Sequence, residues 1–183
     1  MSEIAVLIPL KDFSLAKDRL RVAGIRDAGE LAKNLAVGVI LASAPRPVIV
    51  AAESDDIGSF ARDHGVEVFQ SNASGLNEAV SLAYRALGHR FSRVIIAHGD
   101  LARPQGLGAF QPEPGITIVT DRHGRGTNVL MMPTGLEFEF AYGHDSRSRH
   151  EAEAQRLAQP CQVLSSSPWR LDIDEPGDLE LDF

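Results

Sequence analysis

Short apolar runs alternate with amphipathic segments along most of the chain. Four runs in the first hundred residues are typical of strands buried on both faces of a sheet: 4–8, 48–52, 66–69 and 94–97. Three segments with helical periodicity lie between them: 31–40, 55–64 and 76–87. Repeated units of this kind predict an α/β fold, with a mostly parallel sheet covered by helices on both faces.

The second half of the chain continues the pattern less regularly. Residues 101–115 are rich in proline and glycine and predict an irregular loop. Three further strands and one helix are expected: strands 116–119, 129–132 and 162–164, and helix 144–157 with Asp145 or Ser146 as its cap. No repeat or linker interrupts the sequence, so we predict a single domain, 1–183.

A predominantly parallel sheet also predicts where a ligand binds. Ligands of such sheets lie beyond the carboxyl ends of the strands. The loops that follow Ile8, Phe69 and Ala97 are therefore the candidate binding regions.

The charge and cysteine content narrow the classes of function. A net charge of -7 argues against a nucleic-acid or anionic-membrane partner. Cys161 is the single cysteine, which excludes an internal disulfide and a cysteine-cluster zinc site. No apolar run reaches the roughly 20 residues of a transmembrane helix, and a cytoplasmic location is the default expectation.

The loop after the first strand carries the candidate phosphate ligands. It has neither a Gly-x-Gly-x-x-Gly nor a Walker sequence. Lys11, Lys17 and Arg19 are instead placed where they could surround a triphosphate. Ordinary surface charge on a loop that leads into a helix explains the same residues equally well.

Two acidic elements are candidates for binding a divalent cation. Asp100 follows a buried strand, where a carboxylate can hold a cation against phosphates, or can cap backbone amides instead. Alternation along a strand puts Asp172 and Asp174 on one face, so that both could reach one metal ion. The alternative is that these carboxylates cap a short final helix.

The remaining polar residues give weaker signals. The loops 121–128 and 142–146 combine glycines with donors that could approach an anion, the second through the free amides of a helix start. His98 lies close to Asp100, but no further His or Cys at ligand spacing supports a transition-metal site. His150 is predicted to be an exposed helix residue, and Met131, Met132, Phe138 and Phe140 are predicted to be core.

Six segments, taken together and in order, resemble the 2-phospho-L-lactate / phosphoenolpyruvate guanylyltransferase family of coenzyme F(420) biosynthesis. They are IPLKDFSLAKDRL at 8–20, GLNEAV at 75–80, GDL at 99–101, GTNVLMMP at 126–133, FEFAYGHDS at 138–146 and LDIDEPGDL at 171–179. The resemblance extends through nearly the whole chain. It implies a single-domain, Rossmann-like nucleotidyltransferase fold.

The resemblance also implies a reaction and a set of roles. A substrate phosphate would attack the α-phosphate of GTP and release pyrophosphate. Lys11, Lys17 and Arg19 would hold the triphosphate as catalytic and nucleotide-binding residues. The other implied ligands are, for guanosine, Gly75, Leu76 and Asn77; for Mg²⁺, Asp100 with Asp172 or Asp174; and for the phosphorylated acid, Thr127, Gly143 and Ser146.

The identity of the acceptor acid stays open at this point. Ala102 replaces a proline that is frequent in the family, and the loop beyond it is shortened and glycine-rich. If that loop shapes the acceptor pocket, then phosphoenolpyruvate, 2-phospho-L-lactate and 3-phospho-D-glycerate all remain candidates, with phosphoenolpyruvate the first choice. A downstream deazaflavin transferase is the expected partner, and a homodimer is left open.

Two alternatives compete with this assignment. A cytidylyltransferase of the molybdenum-cofactor type would have the fold, but such enzymes usually open with a glycine-rich loop that this chain lacks. A non-catalytic nucleotide-binding domain would also have the fold, although it has no need of Lys11, Lys17 and Asp100 together.

Overall fold

The chain builds one twisted sheet of seven strands. The computed structural model describes residues 4–71 and 73–180, so the ends of the predicted domain 1–183 lie outside the described residues. The strands are β1 Ile4–Leu10, β2 Val48–Ala52, β3 Glu67–Gln70, β4 Arg93–Ala97, β5 Ile116–Thr120, β6 Thr127–Pro133 and β7 Cys161–Leu164. Their order across the sheet is β3-β2-β1-β4-β6-β5-β7.

Helices connect the strands and cover the sheet. They are α1 Asp18–Val22, α2 Ala28–Ala42, α3 Asp55–Asp63, α4 Leu76–Leu87 and α5 Ser146–Arg156. Short 3₁₀ helices at Pro168–Arg170 and Pro176–Glu180 follow β7. The expected strands and helices are therefore all present, and α1 is an additional turn of helix that the apolar pattern did not indicate.

One strand runs against the others. β6 pairs antiparallel with both β4 and β5, whereas β1, β2, β3 and β4 are mutually parallel and β7 is parallel to β5. The start of β6 consequently lies at the same edge of the sheet as the carboxyl end of β4, with Val129 opposite Ala97. This arrangement delivers Thr127 and Asn128 to the edge where ligands bind.

Two apolar layers sandwich the sheet, as strands buried on both faces require. Alternate residues of β1 point to opposite sides, with Val6 and Ile8 in one layer and Ala5 and Leu7 in the other. Helices α2 and α3 complete the first layer, and α4 and α5 complete the second. The predicted core residues Met131, Met132, Phe138 and Phe140 are all buried. This confirms an α/β fold with helices on both faces.

The irregular segment after Asp100 leads away from the carboxyl edge. Its glycine-rich part packs against the far end of α2, where the Gly108 amide donates to the Ala42 carbonyl at 2.9 Å. A side chain at Gly108 would collide with the carbonyl oxygens of Ser43 and Ala44, so this close approach requires glycine. The glycine-rich part of this loop therefore lies away from the edge where the acceptor is expected.

Candidate active site

A cleft of about 370 Å³ opens at the carboxyl edge of the sheet, between the β1–α1 loop and the end of β4. Six of the sequence-predicted residues line it: Lys11, Lys17, Arg19, Leu76, Asp100 and Asp174. A smaller neighbouring pocket adds Gly75 and shares Lys11 and Leu76. The sheet thus brings residues separated by up to 163 positions into one continuous surface.

Lys17 and Asp100 form the central ion pair of this cleft. The Lys17 Nζ atom lies 2.5 Å from Oδ2 of Asp100, and the lysine side chain is only 5% exposed. Lys17 has a φ of 61°, in the left-handed region that L-residues other than glycine and asparagine rarely adopt. Lys17 is the residue immediately before α1, and its ammonium points inward to Asp100.

The free oxygen of Asp100 marks a place for a cation. Its Oδ1 atom is buried and has no hydrogen-bond partner. Burial alone would raise the pKa of Asp100, but the opposing charge of Lys17 and a smaller contribution from His98 hold the pKa below its ordinary value. Asp100 is therefore an ionised carboxylate with one oxygen paired and one available.

Asp172 is brought to Asp100 by a short antiparallel bridge. Leu101 pairs with Asp172, and the amide of Ile173 donates to the Asp100 carbonyl at 3.1 Å. Burial, and then the negative charge of Asp100, raises the pKa of Asp172 to about 6. Two carboxylates that oppose each other's ionisation are a donor set that fits Mg²⁺, since a cation removes the repulsion.

Asp174 has a different environment from Asp172. Its Oδ2 atom lies 3.0 Å from Nη1 of Arg19, and both side chains are largely exposed. Arg19 also contacts Glu175 at 3.0 Å. Asp172 instead accepts a hydrogen bond of 3.2 Å from the Asn128 amide. Asp172 thus lies next to Asp100 but does not line the cleft, whereas Asp174 lies at its rim.

Among residues 4–71 and 73–180, no group of three or more His, Cys, Asp or Glu side chains is arranged to hold a metal ion. His98 lines the cleft with its Nε2 atom buried and without a partner. Burial lowers the pKa of His98, although the charge of Asp100 opposes this shift.

Asn77, a predicted nucleotide-binding residue, contacts the backbone next to Gly143, a predicted acceptor residue. Its Oδ1 accepts from the Tyr142 amide at 2.7 Å, and its Nδ2 donates to the Tyr142 carbonyl at 3.3 Å. Both ends of the side-chain amide are therefore engaged by the backbone before Gly143. Gly75, two residues earlier, has a φ of 125°, a conformation that a side chain would strain.

The predicted acceptor residues meet where β6 and α5 begin. Gly143 is exposed with a φ of 116°, and Thr127 and Ser146 are each 2% exposed. The Ser146 and Arg147 amides donate to the carbonyls of Gly143 and Arg125, at 3.1 and 3.0 Å. The expectation of free amides at this helix start is therefore wrong for its first two residues, because neighbouring loops already satisfy them.

One histidine prediction is wrong. His150 is not an exposed helix residue but is fully buried. Its ring packs between aromatic side chains, with its centroid 4.9 Å from that of Tyr142 and 5.7 Å from that of Phe138. The spacing from Ser146 to His150 places both on one face of α5, and that periodicity was the available signal.

Comparison with known proteins shows the family of this chain. Residues 4–181 match the model of the family described as "Guanylyl transferase CofC like". The phosphoenolpyruvate guanylyltransferase of Sphaerobacter thermophilus is 29% identical, over 98% of this chain and 92% of that protein. The 3-phospho-D-glycerate guanylyltransferase of Colwellia psychrerythraea is also 29% identical, over 96% and 89%.

A solved structure supports the fold independently. A putative nucleotide-diphospho-sugar transferase from Desulfovibrio desulfuricans G20 superposes with a TM-score of 0.76 at 16% identity, covering 98% of this chain and 85% of that one. At this identity the likeness establishes the fold alone. With the family match over nearly its whole length, the chain belongs to the CofC-like guanylyl transferase family.

Proposed function

We propose that this protein transfers GMP from GTP to the phosphate of a small phosphorylated acid, with phosphoenolpyruvate the first candidate, and releases pyrophosphate. The observation that carries the proposal is the half-paired carboxylate of Asp100, beside Asp172, within a cleft lined by Lys11, Lys17 and Arg19. Both substrates are anions, and the positively charged side chains of this cleft would neutralise them where the two must meet. The names of the relatives support phosphoenolpyruvate or 3-phospho-D-glycerate as the acid.

The reaction requires positioning and charge neutralisation rather than a covalent protein intermediate. An oxygen of the acceptor phosphate forms a bond to the α-phosphorus of GTP, and the bond from that phosphorus to the β-phosphate oxygen breaks. The electron pair leaves with pyrophosphate. Lys11 and Arg19, both exposed at the cleft, neutralise the phosphate oxygens.

The nucleotide base has a candidate site beside the triphosphate. Gly75 and Leu76, at the start of α4, line the small pocket next to Lys11. The acceptor would lie on the other side of Asp100, against Thr127, Gly143 and Ser146. Asn77 ties these two regions together through the Tyr142 backbone.

Asp100 and Asp172 are the residues that would hold Mg²⁺. When bound there, the ion would supply positive charge to the phosphate oxygens that become more negative during transfer. Lys17 fixes the orientation of Asp100 through its Oδ2 atom and leaves Oδ1 for the cation. Asp174 is paired with Arg19 at the rim and has less to contribute to the ion.

A biosynthetic role follows from the product. A guanosine diphospho-acid is an activated form of the acid, and a second transferase must move that acid to an acceptor. We place this step in coenzyme F(420) biosynthesis, with a deazaflavin transferase as the consumer of the product.

No helix within the described part of the chain is long and apolar enough to cross a membrane.

The test measures pyrophosphate release in the presence of Mg²⁺ and each nucleoside triphosphate. It is run with each acid separately and with a control that contains no acid. The deazaflavin acceptor and its transferase are included to trap the product. We expect release with GTP and one acid only. Release with CTP would favour the cytidylyltransferase alternative. GTP binding without release from any acid would favour a non-catalytic nucleotide-binding domain.

A further inference from the structure

The buried His150 lies directly behind Thr127, a residue that the proposed function places against the acceptor acid. The Nδ1 atom of His150 is 3.0 Å from Oγ1 of Thr127, and the whole ring is inaccessible to solvent. A buried, polar imidazole in this position has to satisfy both of its nitrogens. Its partners therefore determine where its hydrogen lies.

The other ring nitrogen fixes the tautomer. The backbone amide of Ala141 donates to Nε2 of His150 at 3.1 Å. A backbone N–H can only donate, so Nε2 carries a lone pair and no hydrogen. In a neutral imidazole the hydrogen is then on Nδ1, and it must be donated to the oxygen of Thr127.

This tautomer assigns a direction to the Thr127 hydroxyl. Because Oγ1 accepts from His150, the hydroxyl hydrogen points elsewhere and is available to another group. An oxygen that accepts one hydrogen bond also becomes a better donor through polarisation. Thr127 is 2% exposed, and the direction of its hydroxyl decides whether it attracts or repels an anion placed beside it.

We propose that His150 is a positioning residue that fixes the Thr127 hydroxyl as a hydrogen-bond donor to an anionic oxygen of the acceptor acid. The proposal rests on the proposed function, because it takes the ligand of Thr127 to be that acid. The opposite tautomer would point the hydroxyl hydrogen at His150 and present only lone pairs to the anion. The Ala141 amide excludes that arrangement.

Two substitutions separate this role from simple packing. In His150→Gln, the Oε1 atom can occupy the place of Nε2 and accept from Ala141, but no donor remains for Thr127. In His150→Asn, the amide nitrogen can occupy the place of Nδ1 and donate to Thr127, while Ala141 loses its acceptor. If His150 only fills space, both variants should weaken acceptor binding to a similar extent. If His150 positions Thr127, the two variants should weaken acceptor binding to different extents.

Steady-state kinetics with GTP and the acid provide the first readout. We expect His150→Gln to raise the acceptor KM about tenfold or more, as for losing a hydrogen bond to a charged group, with the GTP KM unchanged. His150→Asn should keep the acceptor KM within about threefold of wild type. In a Thr127→Val background, His150→Gln should add no further effect, since the two residues act in series.

His89→Gln is the matched control. His89 is an exposed histidine beyond the end of α4, at the edge of the sheet opposite the cleft. The same exchange of side chains there should leave both KM values at those of the wild type.

The second readout is the histidine tautomer itself. Nitrogen NMR of protein labelled with ¹⁵N-histidine should show the signals of an Nδ1–H tautomer at pH 7 that are missing from the spectrum of His150→Gln, which assigns them to His150. An Nε2–H tautomer at His150, or equal kinetic losses in His150→Gln and His150→Asn, would overturn the inference while leaving the proposed function in place. Absence of turnover with every acid would overturn the proposed function, and the acid as the ligand of Thr127 with it.

Discussion

The ammonium of Lys17 engages one oxygen of the Asp100 carboxylate, at 2.5 Å, and leaves the other buried without a partner. Lys17 was expected to bind the triphosphate directly. In this structure its ammonium pairs with Asp100, and its contact with a triphosphate stays a prediction. The remaining oxygen is the feature of the cleft that most directly indicates a ligand.

Asp100→Asn should lower turnover by at least about a hundredfold, because the variant loses the charge that would hold Mg²⁺. The asparagine oxygen can still accept from Lys17, so the fold should persist. Pyrophosphate release and circular dichroism measure the two effects. Asp63→Asn, at the exposed end of α3, is the control and should turn over normally. Wild-type rates from Asp100→Asn would remove Asp100 from the catalytic centre.

Lys17→Met should lower the free energy of unfolding by about 2 kcal/mol, because Asp100 is left as a largely buried carboxylate without a partner. The loss should be smaller than for a fully buried pair, since the Asp100 side chain is 26% exposed. Urea denaturation without metal measures it. Lys17→Met combined with Asp100→Asn should be less destabilised than the sum of the single variants, and simple additivity would show that the pair is not coupled.

Asn77→Ala distinguishes the sequence-based role of Asn77 from the structural one. The resemblance placed Asn77 in the guanosine pocket, whereas its amide holds the Tyr142 backbone in front of Gly143. We expect the acceptor KM to rise about fivefold through loss of these hydrogen bonds, and the GTP KM to rise less. A selective rise in the GTP KM would return Asn77 to the nucleotide pocket.

Ser146→Ala should raise the acceptor KM about tenfold while leaving the GTP KM within twofold, because its hydroxyl is proposed to contact the acid alone. Ser148→Ala, two residues further along α5 and exposed, is the matched control and should leave the acceptor KM unchanged. Equal effects of Ser146→Ala on both substrates would place Ser146 outside the acceptor site.

The neutral His150 should make stability depend on pH. Burial, the largest influence, lowers its pKa from 6.5 to about 4. Between these values the unfolded chain binds a proton that the folded chain does not, so the stability present above pH 6.5 is lost as the pH falls towards 4. The full difference is about 3 kcal/mol. Urea denaturation at pH 7.5 and 5 should show a smaller loss for His150→Gln, and identical losses would contradict a neutral His150.

The strands, the helices and the position of the cleft could be predicted from the sequence because buried parallel strands leave continuous apolar runs. Such runs end where ligands are expected to bind, and Lys11 and Asp100 each lie three residues beyond the end of one of them. The environment of Asp172 was harder to predict from the sequence. Alternation put Asp172 and Asp174 on the same face of a strand. The bridge to Leu101 and the pairing of Asp174 with Arg19 instead give the two side chains different surroundings.

The burial of His150 could not be predicted from charge or polarity. Histidine is neutral or charged at similar cost near pH 7, so its presence on a helix with many charged residues suggested a surface position. Its burial depends on partners from two distant segments, the Ala141 amide and the Thr127 hydroxyl. The left-handed conformation of Lys17 could not be predicted either, because lysine is not a residue that favours this region of the backbone map.

The bridge between Leu101 and Asp172 has a consequence for the order in which the protein becomes active during synthesis. Asp100 reaches its place with β4, in the middle of the chain, whereas Asp172 follows β7, the last strand to be made. A nascent chain that has folded through β6 would already hold the cleft of Lys11 and Lys17 but only one carboxylate of the pair. Translation therefore supplies the proposed phosphate ligands Lys11 and Lys17 first and the second carboxylate of the proposed metal site last.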